Sequence, residues 1–176
     1  QKWTALAEAR RGAAVLNDSK YGVNVLGGVI NLTLLRAPVA PDDQADRGTQ
    51  KFTYAFFAWD GADLADSGLV REGYELNIPM TVTAGAAGNA SLLGVDAENV
   101  VIETVKPAED GSGDIIVRLY EAMRTATQCT LSAGFGVSGA VETDMLEAGD
   151  EAVTLADGKL SLTFRPFEVK TLRLKR

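Results

Sequence analysis

The sequence predicts an all-β protein made of β-sandwiches, with one short helix near residues 63–77. Most of the chain consists of short runs in which apolar and polar side chains alternate, separated by Gly, Pro, Asn and Asp. Hydrophobic residues make up 46% of the chain, which is enough to bury a core. In the last part, six or seven such runs within about 85 residues indicate an immunoglobulin-like sandwich.

The first part of the chain contains three predicted strands and the predicted helix. The strands are Gly12–Leu16, Val29–Leu35 and Lys51–Phe57. Between residues 63 and 77 apolar or small residues recur every third or fourth position, which indicates a helix, and Pro79 limits its length.

A small, flexible stretch, residues 83–90, predicts a linker between two domains, residues 1–84 and 90–176. The second domain has regular alternation throughout. Its predicted strands are Val100–Lys106, Ile115–Glu121, Cys129–Phe135, Val141–Met145, Leu160–Phe164 and Val169–Leu174.

The composition excludes several classes of function. The chain has no histidine and one cysteine, so it can build neither a Cys/His zinc site nor a Ser-His-Asp or Cys-His catalytic centre. We interpret Cys129 as a core residue of a strand, and the lack of a disulfide as typical of the cytoplasm. A net charge of −7 argues against nucleic acid and anionic membranes as partners. The start, Gln1-Lys2-Trp3, resembles neither an initiator nor a signal peptide, so we expect a longer protein.

Three motifs favour a structural interpretation. Residues 134–139 fit GxGxxG, but a strand-like run follows them, so a glycine-rich hairpin is expected and not a nucleotide site. Asp42, Asp43 and Asp46 lack the spacing of a calcium loop and predict a solvated loop. Three glycosylation sequons, at Asn17, Asn31 and Asn89, are interpreted as accidental because no secretory signal is evident.

The turn at residues 17–22 is the candidate site. Asn17, Asp18, Lys20 and Tyr21 combine an amide, a carboxylate, an ammonium and a phenol, which could bind sugar hydroxyls and pack on a sugar ring. The alternative is an Asx turn, in which Asn17 or Asp18 caps backbone N–H groups and Gly22 supplies a positive φ. The local pattern favours the Asx turn.

Several motifs, in order along the chain, resemble glycoside hydrolase family 38 α-mannosidases of the bacterial and cytosolic branch. Residues 16–22 (LNDSKYG) are similar to the family's LNDxKYG signature, residues 32–38 (LTLLRAP) to its LTLLRxP stretch, and residues 41–48 (PDDQADRG) to its PDxxADxG loop. Further similar segments are 52–57, 72–79, 95–106, 117–121 and 165–174. The chain departs from the family at residues 49–51 and 58–60, where the pattern has histidines.

The resemblance implies a fragment: residues 1–84 would end a large sandwich and residues 90–176 would form the terminal one. The retaining catalytic machinery and its zinc ion would lie in a missing N-terminal catalytic domain, and this chain would hold no cofactor and no catalytic residue. Its partners would be the catalytic and helical domains of the same polypeptide and a mannose-containing glycan. Asn17, Asp18, Lys20 and Tyr21 would position sugar or support the wall of the active site.

Two other functions stay open. A stand-alone carbohydrate-binding module would use exposed aromatic residues, for which Trp3, Trp59, Tyr21 and Tyr74 are candidates. An immunoglobulin-like interaction domain would need no sugar chemistry. If the chain is a fragment, it should expose an apolar patch, and self-association as a homo-oligomer is then expected.

Overall fold

The computed structural model describes residues 1–61, 63–85 and 88–176, and for Asp66 the backbone only. The chain divides into two compact units, residues 1–84 and 85–176. Residues 86 and 87 of the predicted linker lie outside the described residues. The assignment of the two parts to a large and a terminal sandwich stays a prediction.

The all-β prediction is confirmed: the described residues form mainly strands, with one α-helix and one 3-10 turn. The first unit contains β1 (Trp3–Glu8), β2 (Arg11–Asn17), β3 (Val23–Leu26), β4 (Val29–Leu32), β5 (Tyr54–Asp60), the 3-10 turn (Ala65–Ser67) and α1 (Leu69–Asn77). The second contains β6 (Leu93–Val95), β7 (Val100–Pro107), β8 (Ile115–Glu121), β9 (Thr127–Ala133), β10 (Gly139–Thr143), β11 (Glu151–Val153), β12 (Leu155–Ala156), β13 (Lys159–Phe164) and β14 (Val169–Lys175).

The first unit is built on an antiparallel sheet of order β1-β2-β5, one face of which packs against α1. Successive residues of a strand point to opposite faces of the sheet, so every second residue faces α1. Its buried residues are Ala14, Leu16 and Trp59 from the strands and Leu69 from the helix. Gly12 lies opposite Trp59 in the register, and a Cβ there would stand 1.9 Å from the indole, so only glycine lets the ring come this close to β2.

A separate hairpin, β3–β4, follows the candidate turn. Its two connecting residues are Gly27 and Gly28, and Gly27 has a φ of +59°, which glycine adopts at little cost in a tight hairpin turn. The predicted strand Val29–Leu35 is three residues too long, since β4 ends at Leu32. Residues 33–35 continue the alternating pattern but pair with no strand of the described sheets.

The second unit is a sandwich of two antiparallel sheets, ordered β11-β10-β14-β8-β7 and β12-β13-β9-β6. Inward residues of both sheets form one core, centred on Val117, Leu119, Leu131, Leu160 and Phe164. All six strands predicted for this part are confirmed, with ends shifted by two residues or fewer. The prediction of Cys129 as a core residue is also confirmed: it is buried in β9, and burial raises the pKa of its thiol.

The predicted glycine-rich hairpin at residues 134–139 is wrong. β9 and β10, which flank the segment, belong to different sheets, so it crosses from one layer of the sandwich to the other. At Gly134 a Cβ would stand 2.2 Å from the carbonyl oxygen of Ser91, so a glycine is needed for this close approach. The segment opens a strand and not a helix, which removes the structural basis for a dinucleotide site.

A buried carboxylate organises one end of the second unit. Glu121, at the end of β8, has no exposed surface. Its carboxylate accepts hydrogen bonds from Met123 N–H at 2.7 Å, Asn99 Nδ2 at 2.9 Å and Phe167 N–H at 2.9 Å. A buried charge is tolerated when its lone pairs are matched by donors in this way. Glu121 therefore ties together three loops of the sandwich.

Candidate functional site

The turn at residues 17–22 follows β2 and leads into the hairpin β3–β4. Asn17 is its anchor: the residue is 3% exposed, its Oδ1 accepts from Lys20 N–H at 2.8 Å and its Nδ2 donates to the Gln1 carbonyl at 3.4 Å. Asn17 caps a backbone N–H as the Asx-turn hypothesis expects, but its acceptor bonds the N–H three residues on, whereas an Asx turn bonds the N–H two residues on. Asn17 thus shapes the turn and presents no polar atom to solvent.

Asp18 fastens the turn to the segment before β5. Both its carboxylate oxygens lie 3.0 Å from Thr53 N–H, and Asp18 Oδ1 also accepts from Ser19 Oγ at 2.8 Å. The backbone N–H of Thr53, followed by the Ser19 hydroxyl, holds the pKa of the Asp18 carboxyl below its usual value. A carboxylate held anionic in this way is suited to structure and not to proton donation.

Lys20 is half-buried in the turn, and Tyr21 lies at its surface. Lys20 Nζ lies over the Phe52 ring, 4.9 Å from its centroid, within the range of a cation–π interaction. Tyr21 is 58% exposed and its hydroxyl donates to the Asp18 carbonyl at 3.2 Å, which fixes the ring at the surface. Tyr54, also 58% exposed, stacks on Phe52 with centroids 6.4 Å apart.

The structure also corrects the backbone conformation that the Asx-turn hypothesis expects at Gly22. Gly22 does not have a positive φ. A Cβ at this position would stand 3.2 Å from the Thr33 Cβ, so the small residue serves a close approach between the two ends of the hairpin β3–β4, where Thr33 N–H also donates to the Gly22 carbonyl at 2.8 Å.

The sequence did not indicate that Phe52, Thr53 and Asn77 contact this turn. Asn77, the last residue of α1, donates from Nδ2 to the Asn17 carbonyl at 3.0 Å across 60 positions of sequence. No local pattern signals such a contact, because it depends on how α1 packs on the sheet.

The tryptophans suggested for a carbohydrate-binding module are core residues. Trp59 is 8% exposed and Trp3 packs against the same cluster under α1. Tyr74 is half-buried and carries Lys2 Nζ over its ring at 4.2 Å. Of the four candidates, Tyr21 alone is largely exposed.

Carboxylates of the loop at residues 41–48 bond to the backbone. Asp42 Oδ1 accepts from Gln44 N–H at 2.9 Å, and Asp46 Oδ2 accepts from Ala37 N–H at 3.0 Å. Within the described part of the chain, no three His, Cys, Asp or Glu side chains gather as a metal site would require.

Comparisons with known proteins place the chain in a family. The family model described as "Glycosyl hydrolases family 38 C-terminal beta sandwich domain" matches residues 99–172, and the model described as "Glycosyl hydrolases family 38 C-terminal domain" matches residues 1–44. The chain belongs to glycosyl hydrolase family 38. It represents a C-terminal region of that family, as the ordered motifs predicted.

Relatives in family 38 align over almost the whole chain. Human alpha-mannosidase 2C1 is 40% identical over 98% of the chain, and alpha-mannosidase G of Dictyostelium discoideum is 33% identical over 98%. The chain spans 17% of the length of each. A crystal structure of a family 38 protein from Enterococcus faecalis matches 99% of the chain and 22% of its own length, with 20% identity and a TM-score of 0.70, which shows a shared fold.

Proposed function

We propose that the chain is the non-catalytic C-terminal region of an α-mannosidase, which hydrolyses α-mannosidic bonds of mannose-containing glycans. The observation that carries this proposal is the 40% identity to human alpha-mannosidase 2C1 along 98% of the chain. We assign the retaining chemistry and the zinc ion to a part of the protein outside these 176 residues, since this chain has no histidine and no metal-ligating cluster among its described residues.

Within that enzyme the chain supports the active site and does not cut the bond. Lys20 contacts sugar hydroxyls through its ammonium group, and Tyr21 packs on a sugar ring, while Asn17 and Asp18 hold the turn in shape. What supports this division is that side-chain atoms of Asn17 and Asp18 are bonded within the turn and to Gln1 and Thr53. The ring of Tyr21 is exposed, and the ammonium group of the half-buried Lys20 lies over the Phe52 ring.

The enzyme acts in the cytoplasm. The single cysteine of this 176-residue chain is buried and unpaired, which fits a reducing compartment. None of the helices in the described residues has the length and hydropathy of a membrane span. Fractionation of cells that express the full-length protein checks the location.

The test is α-mannosidase activity of the full-length protein, wild type and Lys20→Ala/Tyr21→Ala, with the 176-residue chain assayed beside it. Loss of two sugar contacts, each of about 0.5–1.5 kcal/mol, lowers kcat/KM by roughly fivefold to 150-fold. The matched control is Lys159→Ala/Phe167→Ala, which removes an exposed cation and a 61% exposed aromatic ring from the second unit.

Each outcome has a separate meaning. An inactive full-length wild type contradicts the proposed enzyme, and activity of the 176-residue chain alone contradicts its non-catalytic role. An unaffected double variant with an unchanged melting temperature shows that Lys20 and Tyr21 only shape the turn.

A carbohydrate-binding module is a second candidate, favoured by the exposure of Tyr21 and Tyr54 close to Lys20. Calorimetric titration of the 176-residue chain with mannose and with α-linked mannobiose distinguishes the two. Saturable binding at millimolar sugar supports the module, and its absence leaves the assembly role.

A further inference from the structure

Among the described residues, Lys20 is a half-buried cation whose partner is an aromatic ring and not a carboxylate. In the second unit, the half-buried Lys106 pairs with Glu147 at 2.6 Å, and the half-buried Lys170 pairs with Glu142 at 2.9 Å. Lys20 takes part in none of the ion pairs that the described residues form. A carboxylate would neutralise the ammonium group and occupy its N–H donors. Without such a partner in this part of the chain, the ammonium group of Lys20 keeps its charge and its donors for a ligand.

The ring of Phe52 holds the head of the Lys20 side chain. Lys20 Nζ lies 4.9 Å from the centroid of this ring. The face of an aromatic ring attracts a cation through its quadrupole, but the ring carries no charge that would neutralise the cation. Phe52 is itself half-buried and stacks on Tyr54, with ring centroids 6.4 Å apart and ring planes at 23° to each other. A ring supported in this way fixes the ammonium group in one place and leaves it charged.

Backbone contacts bring the ring and the ammonium group together. The antiparallel pairing of β2 with β5 continues for one step beyond the two strands, where Asp18 N–H donates to the Thr53 carbonyl at 3.2 Å. In return, Thr53 N–H lies 3.0 Å from both carboxylate oxygens of Asp18. At the base of the lysine, Lys20 N–H donates to Asn17 Oδ1 at 2.8 Å. Lys20 is therefore fixed at its backbone by Asn17 and at its head by Phe52.

We propose that Phe52 is the positioning residue of Lys20: its ring holds the ammonium group at the place from which the group donates to a sugar hydroxyl. The inference rests on the proposed function, in which Lys20 contacts the sugar. It adds a residue that acts on the sugar through Lys20. The contribution of Phe52 to activity should therefore disappear when Lys20 is removed.

A double-mutant cycle in the full-length protein tests the inference. The value of kcat/KM for an aryl α-mannoside is measured for the wild type, Phe52→Leu, Lys20→Ala and Phe52→Leu/Lys20→Ala. Leucine keeps an apolar side chain at this position but has no π-face for the cation. Loss of the cation–π attraction should lower kcat/KM of Phe52→Leu by about two- to fivefold. In the Lys20→Ala background the same substitution should have no effect, and Phe52→Tyr, which keeps a ring, should restore the wild-type value.

Three kinetic results overturn the inference. The first is an unchanged kcat/KM in Phe52→Leu. The second is a loss that is as large in the Lys20→Ala background as in the wild type, or that Phe52→Tyr does not restore, because the ring then only supports the fold of the turn. Where Lys20→Ala is itself impaired, both of these results leave the proposed role of Lys20 standing. The third is an active wild type that tolerates Lys20→Ala, which removes the sugar contact and the inference together.

Acylation of Lys20 by an N-hydroxysuccinimide ester, followed by mass spectrometry of the same full-length proteins, is a readout that needs no activity. The ring covers one side of the Lys20 head, so its loss in Phe52→Leu should speed acylation by about two- to fivefold, whereas Phe52→Tyr should not. The exposed Lys159 of the second unit is the internal standard. An unchanged rate at Lys20 overturns the inference. A faster rate in an inactive full-length protein rejects the proposed enzyme and keeps the positioning of Lys20 by Phe52.

Discussion

Replacement of Glu121 by glutamine should destabilise the second unit by about 2–3 kcal/mol, the contribution of a hydrogen bond to a buried charge. In the wild type, Oε1 accepts from Met123 N–H and Asn99 Nδ2, and Oε2 accepts from Phe167 N–H. Glutamine replaces one of the two carboxylate oxygens by an NH₂ group. This NH₂ group then faces an N–H donor that the missing oxygen had accepted from. One buried N–H group loses its acceptor, and the remaining bonds lose the charge.

Urea unfolding followed by far-UV circular dichroism measures the effect. With a slope of roughly 2 kcal/mol per molar urea, the midpoint of the second unit should fall by about 1 M. Both tryptophans of the chain, Trp3 and Trp59, lie in the first unit, so their fluorescence reports a transition that should not move. Glu98→Gln, at an exposed position, is the matched control and should change stability by no more than about 0.5 kcal/mol.

The effect should depend on pH in a defined direction. Burial raises the pKa of the Glu121 carboxyl, but the N–H groups of Phe167 and Met123 and the Asn99 amide outweigh it, so the pKa lies below its ordinary value of 4.5. A depressed pKa stabilises the fold above pH 4.5, and that contribution is lost as the pH falls through the folded-state pKa. The difference between wild type and Glu121→Gln should therefore shrink below pH 4.5. Equal midpoints for the two proteins at pH 7 would refute this account of the carboxylate.

Two further predictions concern other parts of the chain. Gly12→Ala should place a methyl group 1.9 Å from the Trp59 ring, displace the indole and destabilise the first unit by about 1–3 kcal/mol. The tryptophan emission should shift, and the thermal transition should occur at a lower temperature. Gly28→Ala, where a Cβ meets open space, is the control and should leave the emission and the transition temperature unchanged. In the second unit, the N–H of Ser112, together with the Arg173 guanidinium, lowers the pKa of Asp110 to about 2. The stabilising contribution of Asp110 should therefore be present above its ordinary pKa of 3.8 and disappear as the pH falls toward 2. In Asp110→Asn, the stability of the second unit should therefore fall less steeply with decreasing pH in that window. An acid-unfolding curve identical to that of the wild type would contradict a stabilising contact between Asp110 and Arg173.

The strands with strong alternation were predictable from the sequence because their pattern is local. β8, β13 and β14 each place an apolar residue at nearly every second position, and a two-residue period leaves one face to bury. The short strands β6, β11 and β12 were missed, since two or three residues carry no period. They are strands because a neighbouring edge offers them partners, which only the assembled sheet provides.

The sequence determined the family, the β-sandwich class and the exclusion of histidine chemistry, since these depend on ordered motifs and composition. Only the tertiary structure decided which polar residues are bound inside and which face outward. Asn17 and Tyr21 are four positions apart, yet one is 3% exposed and the other 58%. Likewise, both faces of β5 carry apolar residues in the sequence, with Phe56 and Ala58 on one face and Phe57 and Trp59 on the other. The helix α1 packs on one of them, and contact between segments distant in sequence is what separates a buried side chain from a free one.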